Sequence, residues 1–403
     1  MKAHLLLVLS LAGVQLAGLA ALSQMSPTTA PSPTATPASS LKHVIPAAEG
    51  AGSEDESAAD LPVVKLEFKL QDPISGAQGS SAFLTPIVCS PDGVPFVSFI
   101  DPKSFGPQTI ESLDPKGGHE FSAKAISDLY GIDFFRSYFV SDTMVGVLVH
   151  ATTDDKKAAN TIPMGPGLQP RAVYTGGHHD YLVEFDSNGG YRKAVELPGR
   201  YQFRSLAALP DDNLLALGFD RANSVPQLLV LGSDGQVART LQIPSEMQDS
   251  RALVEGQAGG TVERAKAESS LSSWIFASVR HKVLLYQVNA SVPVVEVGAG
   301  GAVREVHVQF PRGYALDSVI PADDRWLMRF RRQNLSDSGA IDASPEAGNY
   351  VLYEVNPSDG SLRRRVEMAT GPFYSVACEQ GGVIKAFSVE DGKVRLETAE
   401  LPR

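Results

Sequence analysis

From residue 61 onward one local event recurs along the chain. A short apolar stretch ends in a turn built from Asp, Asn, Pro and Gly, and a second short stretch follows. One set of turns is Asp114-Pro115-Lys116-Gly117-Gly118, Asp186-Ser187-Asn188-Gly189-Gly190, Ser233-Asp234-Gly235, Gly298-Ala299-Gly300-Gly301 and Pro357-Ser358-Asp359-Gly360. Glycine accepts the positive φ of a tight hairpin turn, and Asp or Asn bonds the nearby backbone. After these turns, residues 191–197, 237–243, 303–310 and 361–368 alternate apolar with charged side chains. That period of two marks an outer strand with one face in water. A second set of turns follows more apolar strands: Ser90-Pro91-Asp92-Gly93, Pro210-Asp211-Asp212-Asn213, Pro321-Ala322-Asp323-Asp324 and Glu379-Gln380-Gly381-Gly382. Two weaker copies, around Asp142 and around His281-Lys282, complete six.

Six copies of a four-stranded antiparallel meander predict an all-β chain, a six-bladed β-propeller. A pair of β-sandwiches is the competing arrangement. After Phe373 only three strands remain, 373–378, 383–389 and 393–400, while 63–70 alternates Val64, Leu66, Phe68, Leu70 with no partner ahead of it. The expectation is that 63–70 becomes the fourth strand of the last blade, which removes two exposed edges. The turn set Ser90-Pro91-Asp92-Gly93, Ser233-Asp234-Gly235 and Pro357-Ser358-Asp359-Gly360 resembles that of the TolB-like six-bladed propeller superfamily, over most of residues 61–403. No Tyr-Trp-Thr-Asp motif stands in this sequence, so the resemblance implies the fold and carries no functional residues.

The first sixty residues are of another kind. Lys2 precedes an apolar run over residues 5–22, and Ala21 with Ser23 sets up cleavage before Gln24, so 1–23 is expected to be a signal peptide. No cysteine stands near this end to carry a lipoprotein anchor. An uncleaved signal anchor holding the protein to a membrane is the alternative. Within residues 24–60, positions 26–40 are only Ser, Thr, Pro and Ala, and Glu49, Glu54, Asp55, Glu56 and Asp60 then stand against Lys42 alone. Such a composition cannot bury a core, so a disordered spacer is expected before the propeller domain at 61–403. The predicted location is periplasmic or extracellular.

Composition excludes several classes. The formal net charge of −11 opposes a general nucleic-acid binder, which needs a basic face. Two cysteines are too few for a disulfide scaffold or a four-thiolate zinc site. Those two, Cys89 and Cys378, hold the same repeat position in the first and last blades. Two alternatives stay open: a disulfide locking the ring, or two buried apolar thiols. Equivalent side chains on rotated blades point the same way, which favours the second.

In a four-stranded blade the connections after strands one and three lie on one face of the disk, and those after strands two and four on the other. The long segments 101–108, 153–171 and 333–348 follow second strands, and 123–136 and 244–272 join blades. All fall on one face, which is therefore the expected binding surface.

His178, His179 and Asp180 are candidate binding residues on that face, and Arg329, Arg331 and Trp326 form a second candidate group. Adjacent strand residues point apart, so His178 pairs with Asp180 rather than with His179. With Arg325 and Trp326 nearby, Arg329 and Arg331 suit a carboxylate, phosphate or sugar acid. No G-x-S-x-G elbow and no H-E-x-x-H spacing occurs, and Gly298–Gly301 precedes a strand rather than a helix. No catalytic residue, metal or cofactor is expected. The expected function is an exported, monomeric, non-catalytic scaffold that binds a protein, peptide or glycan, with no nucleic acid and no membrane insertion once the signal is removed. The alternative is a propeller hydrolase or lyase acting at the central channel.

Overall fold

The computed structural model describes residues 61–70, 82–100, 109–114, 117–132, 135–162, 171–174, 176–223, 225–242, 273–279, 282–288, 293–322, 324–332, 350–368, 375–390 and 393–402. The expected signal and spacer at 1–60, and most of the long segments 101–108, 244–272 and 333–348, lie outside these residues.

The chain enters through β1 (Val63–Leu66) and β2 (Lys69–Leu70). Blade 1 is β3 (Ala82–Cys89), β4 (Pro95–Ile100), β5 (Thr109–Ser112) and β6 (Glu120–Ser122). Blade 2 is β7 (Phe135–Val140), β8 (Val145–Ala151), β11 (His179–Phe185) and β12 (Tyr191–Glu196), with the hairpin β9 (Lys157–Ile162) and β10 (Arg171–Tyr174) inserted after its second strand. Blade 3 is β13 (Tyr201–Ala208), β14 (Leu214–Asp220), β15 (Val225–Leu231) and β16 (Val237–Leu241). Blade 4 is β17 (Trp274–Val279), β18 (Lys282–Gln287), β19 (Val294–Gly298) and β20 (Val303–Val306). Blade 5 is β21 (Tyr314–Pro321), β22 (Trp326–Arg332), β23 (Tyr350–Val355) and β24 (Leu362–Met368). Blade 6 is β25 (Ser375–Gln380), β26 (Val383–Glu390) and β27 (Lys393–Glu400), with β2 at its outer edge.

These are six four-stranded antiparallel blades in a ring, a six-bladed β-propeller, and the sandwich alternative falls away. First strands touch first strands around the centre: β3 meets β7, β7 meets β13, and so on through β25, which meets β3. The chemistry of the second strands explains the stacking. Every residue of β14 is buried, because both faces of its blade are covered. Leu215, Leu217 and Phe219 face the core shared with blade 4, while Leu214 and Ala216 face the one shared with blade 2. A strand buried on both sides reads as an unbroken apolar run. One apolar cluster fills each of the six seams between blades. Outer strands such as β12 and β16 keep the alternation of a half-exposed edge.

The expected 63–70 strand is corrected. Val63–Leu66 adds in parallel to β24 of blade 5, Val63 opposite Arg365, and only Lys69 and Leu70 pair with Thr398 and Glu397 of β27. Leu66 explains the split: it is buried in the seam between blades 5 and 6, with Val64 and Phe68 packed beside it. The alternating apolar side chains fill that seam instead of backing one edge strand.

The connections sort cleanly by face. On the side of the first-to-second and third-to-fourth turns, the longest connection is 113–119. On the opposite side stand 123–134, 152–178, 242–273 and 333–349. Part of this elaborated face is knitted to the ring. Tyr130 and Thr152 exchange backbone hydrogen bonds of 2.8 and 3.0 Å, joining the blade 1–2 connection to the blade 2 insertion. Gly131, at φ +66°, lies so close to that insertion that a Cβ would sit 2.8 Å from His178 Nε2.

Candidate functional site

Strand β8 is apolar except for Gly146 and His150, and a polar ring at the end of a doubly covered strand needs a partner. It has one across the ladder. Asp180 stands opposite His150 in the register of β11 with β8, and Asp180 Oδ1 lies 2.8 Å from His150 Nδ1. The same oxygen accepts from Arg136 Nη1 at 2.8 Å, while Oδ2 accepts the backbone N–H of Phe203 in blade 3 at 2.9 Å. Arg136 Nη1 also reaches the Phe203 carbonyl at 3.4 Å. One carboxylate, its side chain 2% exposed, therefore ties blade 2 to blade 3 at the elaborated face. Burial pushes its pKa up, but the His150 hydrogen bond, the Arg136 charge and the Phe203 N–H outweigh this and hold it below the usual range.

Bulges aim the side chains here. The register of β7 shifts between Phe135 and Ser137, leaving Arg136 as the extra residue, and β13 does the same at Arg204. Strands β21 and β25 bulge at Asp317 and Ala377. A bulge adds one residue and re-aims what the strand presents. Arg204 Nε is buried and, among the described residues, has no hydrogen-bond partner. Arg221, in the turn after β14, donates its backbone N–H to the Arg200 carbonyl at 3.0 Å. Its guanidinium makes no ion pair among the described residues. Burial depresses the Arg136 pKa; Asp180 opposes this, and the nearby Arg204 and Arg221 charges add to it. Arg200 is occupied by Asp220, with Nη2 at 2.7 Å and Nε at 3.1 Å.

Of the expected His178, His179 and Asp180 group, His179 and Asp180 lie on β11 and His178 just ahead of it. His178 stacks on His150, ring centroids 5.5 Å apart, with Nδ1 3.1 Å from the Gly176 carbonyl. His179 points the other way, toward Glu196 at 3.3 Å. In blade 5, Arg329 pairs with Asp317 at 2.5 Å and lies over the Tyr350 ring at 5.1 Å, while Arg331 Nη2 is buried without a hydrogen-bond partner among the described residues. Trp326 does not join them. It is fully buried with Met328 and Phe330 in the seam to blade 4, on the strand face opposite the arginines.

Cys89 and Cys378 form a disulfide with Cα atoms 5.9 Å apart, correcting the favoured expectation of two separate thiols. The expectation assumed regular strands. Both β3 and β25 are irregular just before the cysteines, between Leu84 and Val88 and between Val376 and Cys378. Arg136, His150, Arg204 and Arg221 were not singled out in the sequence. A lone polar residue in an apolar strand was the available signal for His150; nothing local marks the others.

No family model and no curated protein matches this sequence. Among solved structures, one similar chain is a protein of unknown function from Bacteroides caccae, at 12% identity over 72% of this chain and 82% of that one, TM-score 0.38. A streptogramin B lyase matches at 10% identity over 83% of this chain and 98% of that one, TM-score 0.35. Prolyl oligopeptidase B from Galerina marginata matches at 12% identity over 78% of this chain and 40% of that one, TM-score 0.37. Likeness at this level carries no argument about activity. The class is the six-bladed β-propeller.

Proposed function

We propose that the protein is an exported, non-catalytic binding scaffold of TolB-like kind that presents its elaborated face to a protein, peptide or glycan. The supporting observation is the segregation of connections: 152–178, 242–273 and 333–349 share a face, and no connection on the other face is longer than 113–119. Chain length added to surface loops costs little stability, so chance insertion would scatter it over both faces. The test probes peptide and glycan arrays with the full chain and with versions carrying a short Gly-Ser turn in place of 153–171 or 333–348. Binding by the full chain that disappears in either version is the expected result. Binding that survives both replacements removes the reading.

A second reading, a hydrolase or lyase at the channel mouth, rests on His150. Asp180 engages its Nδ1 at 2.8 Å, which leaves Nε2 as the nitrogen able to exchange a proton with a ligand. Chemical conversion of an array ligand by the full chain, lost in His150→Gln, would replace the scaffold reading with this one.

A further inference from the structure

We infer that the blade 2–3 seam carries an oxyanion site on the elaborated face, in which Arg204 and Arg221 bind a carboxylate or phosphate group of the ligand with Arg136 fixed behind them. This deepens the scaffold reading by naming the chemistry that the partner presents, and rests on it for the partner.

Three observations carry it. The first is the unpaired donor: Arg204 Nε is shielded from water and bonds nothing among the described residues. A buried donor without an acceptor is costly, and native structures keep few of them. The second is the local charge. The guanidinium groups of Arg204 and Arg221 lie within electrostatic reach of Arg136 at the blade 2–3 seam. The carboxylates beside them are Asp180 and Asp220, and both are engaged already. Asp180 holds Arg136, His150 and the Phe203 N–H, and Asp220 holds Arg200, Asn223 and the Ala222 N–H. A concentration of unbalanced positive charge in a chain of net charge −11 is not a general property of its surface. The third is rigidity. Asp180 locks Arg136 to the backbone of the neighbouring blade, and the β13 bulge fixes where Arg204 leaves its strand. A guanidinium held in place before the ligand arrives loses little entropy on binding, and its planar fork matches two oxygens of one group. In blade 5 Arg331 Nη2 is likewise buried without a hydrogen-bond partner among the described residues, but Arg329 beside it is answered by Asp317 at 2.5 Å, which leaves one unanswered guanidinium there rather than two.

The test is calorimetric titration of the full chain with inorganic phosphate, with glucuronate and with uncharged glucose, at low and high salt. One anion or both should bind at one site, glucose should not, and salt should weaken the binding. The stronger of the two anions identifies the source chemistry. Arg204→Gln and Arg221→Gln should each weaken the anion about tenfold. Without ligand, Arg204→Gln should melt no lower than the parent chain, because it removes an unpaired donor and a repelling charge; a purely structural Arg204 would lower the melting temperature. The inference is overturned if neither anion gives saturable binding, or if Arg204→Gln binds as the parent does. If the anions fail while the loop replacements still abolish array binding, the scaffold reading stands without this site. If Arg204→Gln loses the anion while array binding survives the loop replacements, the site stands and the scaffold reading falls.

Discussion

On the tight-turn face of blade 5, Glu354 lies among arginines that it and its neighbours fully answer. Arg364 reaches it at 2.6 Å, Arg363 at 3.6 Å and Arg325 at 3.9 Å. Arg325 also holds Asp324 at 3.1 Å, and Arg363 holds Asn356 at 3.0 Å. On the elaborated face between blades 2 and 3 the arrangement is reversed: Asp180 and Asp220 are saturated and guanidinium groups are left over. A closed network is what a seam needs to hold shape. Donors left over, placed where the long connections gather, are what a surface needs to hold something else. The same residue types thus close a network on one face and, at the site proposed above, leave donors unanswered on the other.

The tight-turn face also carries the covalent tie, and breaking it should have the largest effect. Cys89 and Cys378 are 289 positions apart in sequence, and around them Lys385 Nζ donates to the Gly93 carbonyl at 2.6 Å and Gln380 Nε2 to that of Pro91 at 3.3 Å. Closing so long a loop limits the unfolded chain, and replacing both cysteines with serine should cost about 4 kcal/mol. Urea unfolding of the parent chain under oxidising and reducing conditions should differ by a similar amount. Equal midpoints would mean that ring closure rests on the seams alone, and that the two faces do not differ in this way.

Next in size is Asp180→Asn. The substitution leaves Arg136 buried without its counter-charge, and a broken buried pair costs about 3 kcal/mol. The pH dependence sharpens the assignment. The folded-state pKa of Asp180 is depressed, so its contribution is fully present above the unfolded value of about 3.9 and is lost as pH falls through the folded value. The gap in melting temperature between the parent chain and Asp180→Asn should therefore be constant near neutrality and shrink in acid. A gap unchanged down to about pH 2 would show that Asp180 acts by shape rather than by charge.

The ring was legible because it depends on local signals. Turns such as Ser90-Pro91-Asp92-Gly93 and outer strands such as β16 mark blade edges whatever their neighbours do, and strand order then assigns every connection to a face. The site was legible only where one element carries it. His179 and Asp180, neighbours on β11, take partners on opposite faces of that strand, and this alternation follows from the sequence. That Asp180 meets Arg136, 44 positions away, and the backbone of Phe203, 23 positions away, depends on how blades 2 and 3 abut. Bulges hide the rest. One added residue at Arg136, Arg204 or Asp317 changes what a strand presents without altering its composition, and similar irregularities ahead of Cys89 and Cys378 undo the argument from equivalent positions. The N-terminal segment failed for another reason: an alternating apolar strand fits either blade edge at the 5–6 seam, and the burial of Leu66 decides between them.

The smallest effect expected is that of Glu354→Gln. Its three arginines lose one carboxylate, but they are not stranded equally. The side chain of Arg363 is 43% exposed and hydrates readily, whereas those of Arg364 and Arg325 are 15% and 10% exposed. Arg325 keeps Asp324, and Arg363 keeps Asn356. Water and the remaining partners offset most of the loss, so the cost should be about 1–2 kcal/mol by urea unfolding, below that of Asp180→Asn. Salt separates the two sites further. It should narrow the Glu354→Gln deficit, since counter-ions screen the exposed arginines, and leave the Asp180→Asn deficit nearly unchanged because that carboxylate is out of water. A Glu354→Gln cost above that of Asp180→Asn, or equal salt responses at the two sites, would show that the tight-turn network bears as much buried charge as the blade 2–3 seam. The contrast drawn between the faces would then fail.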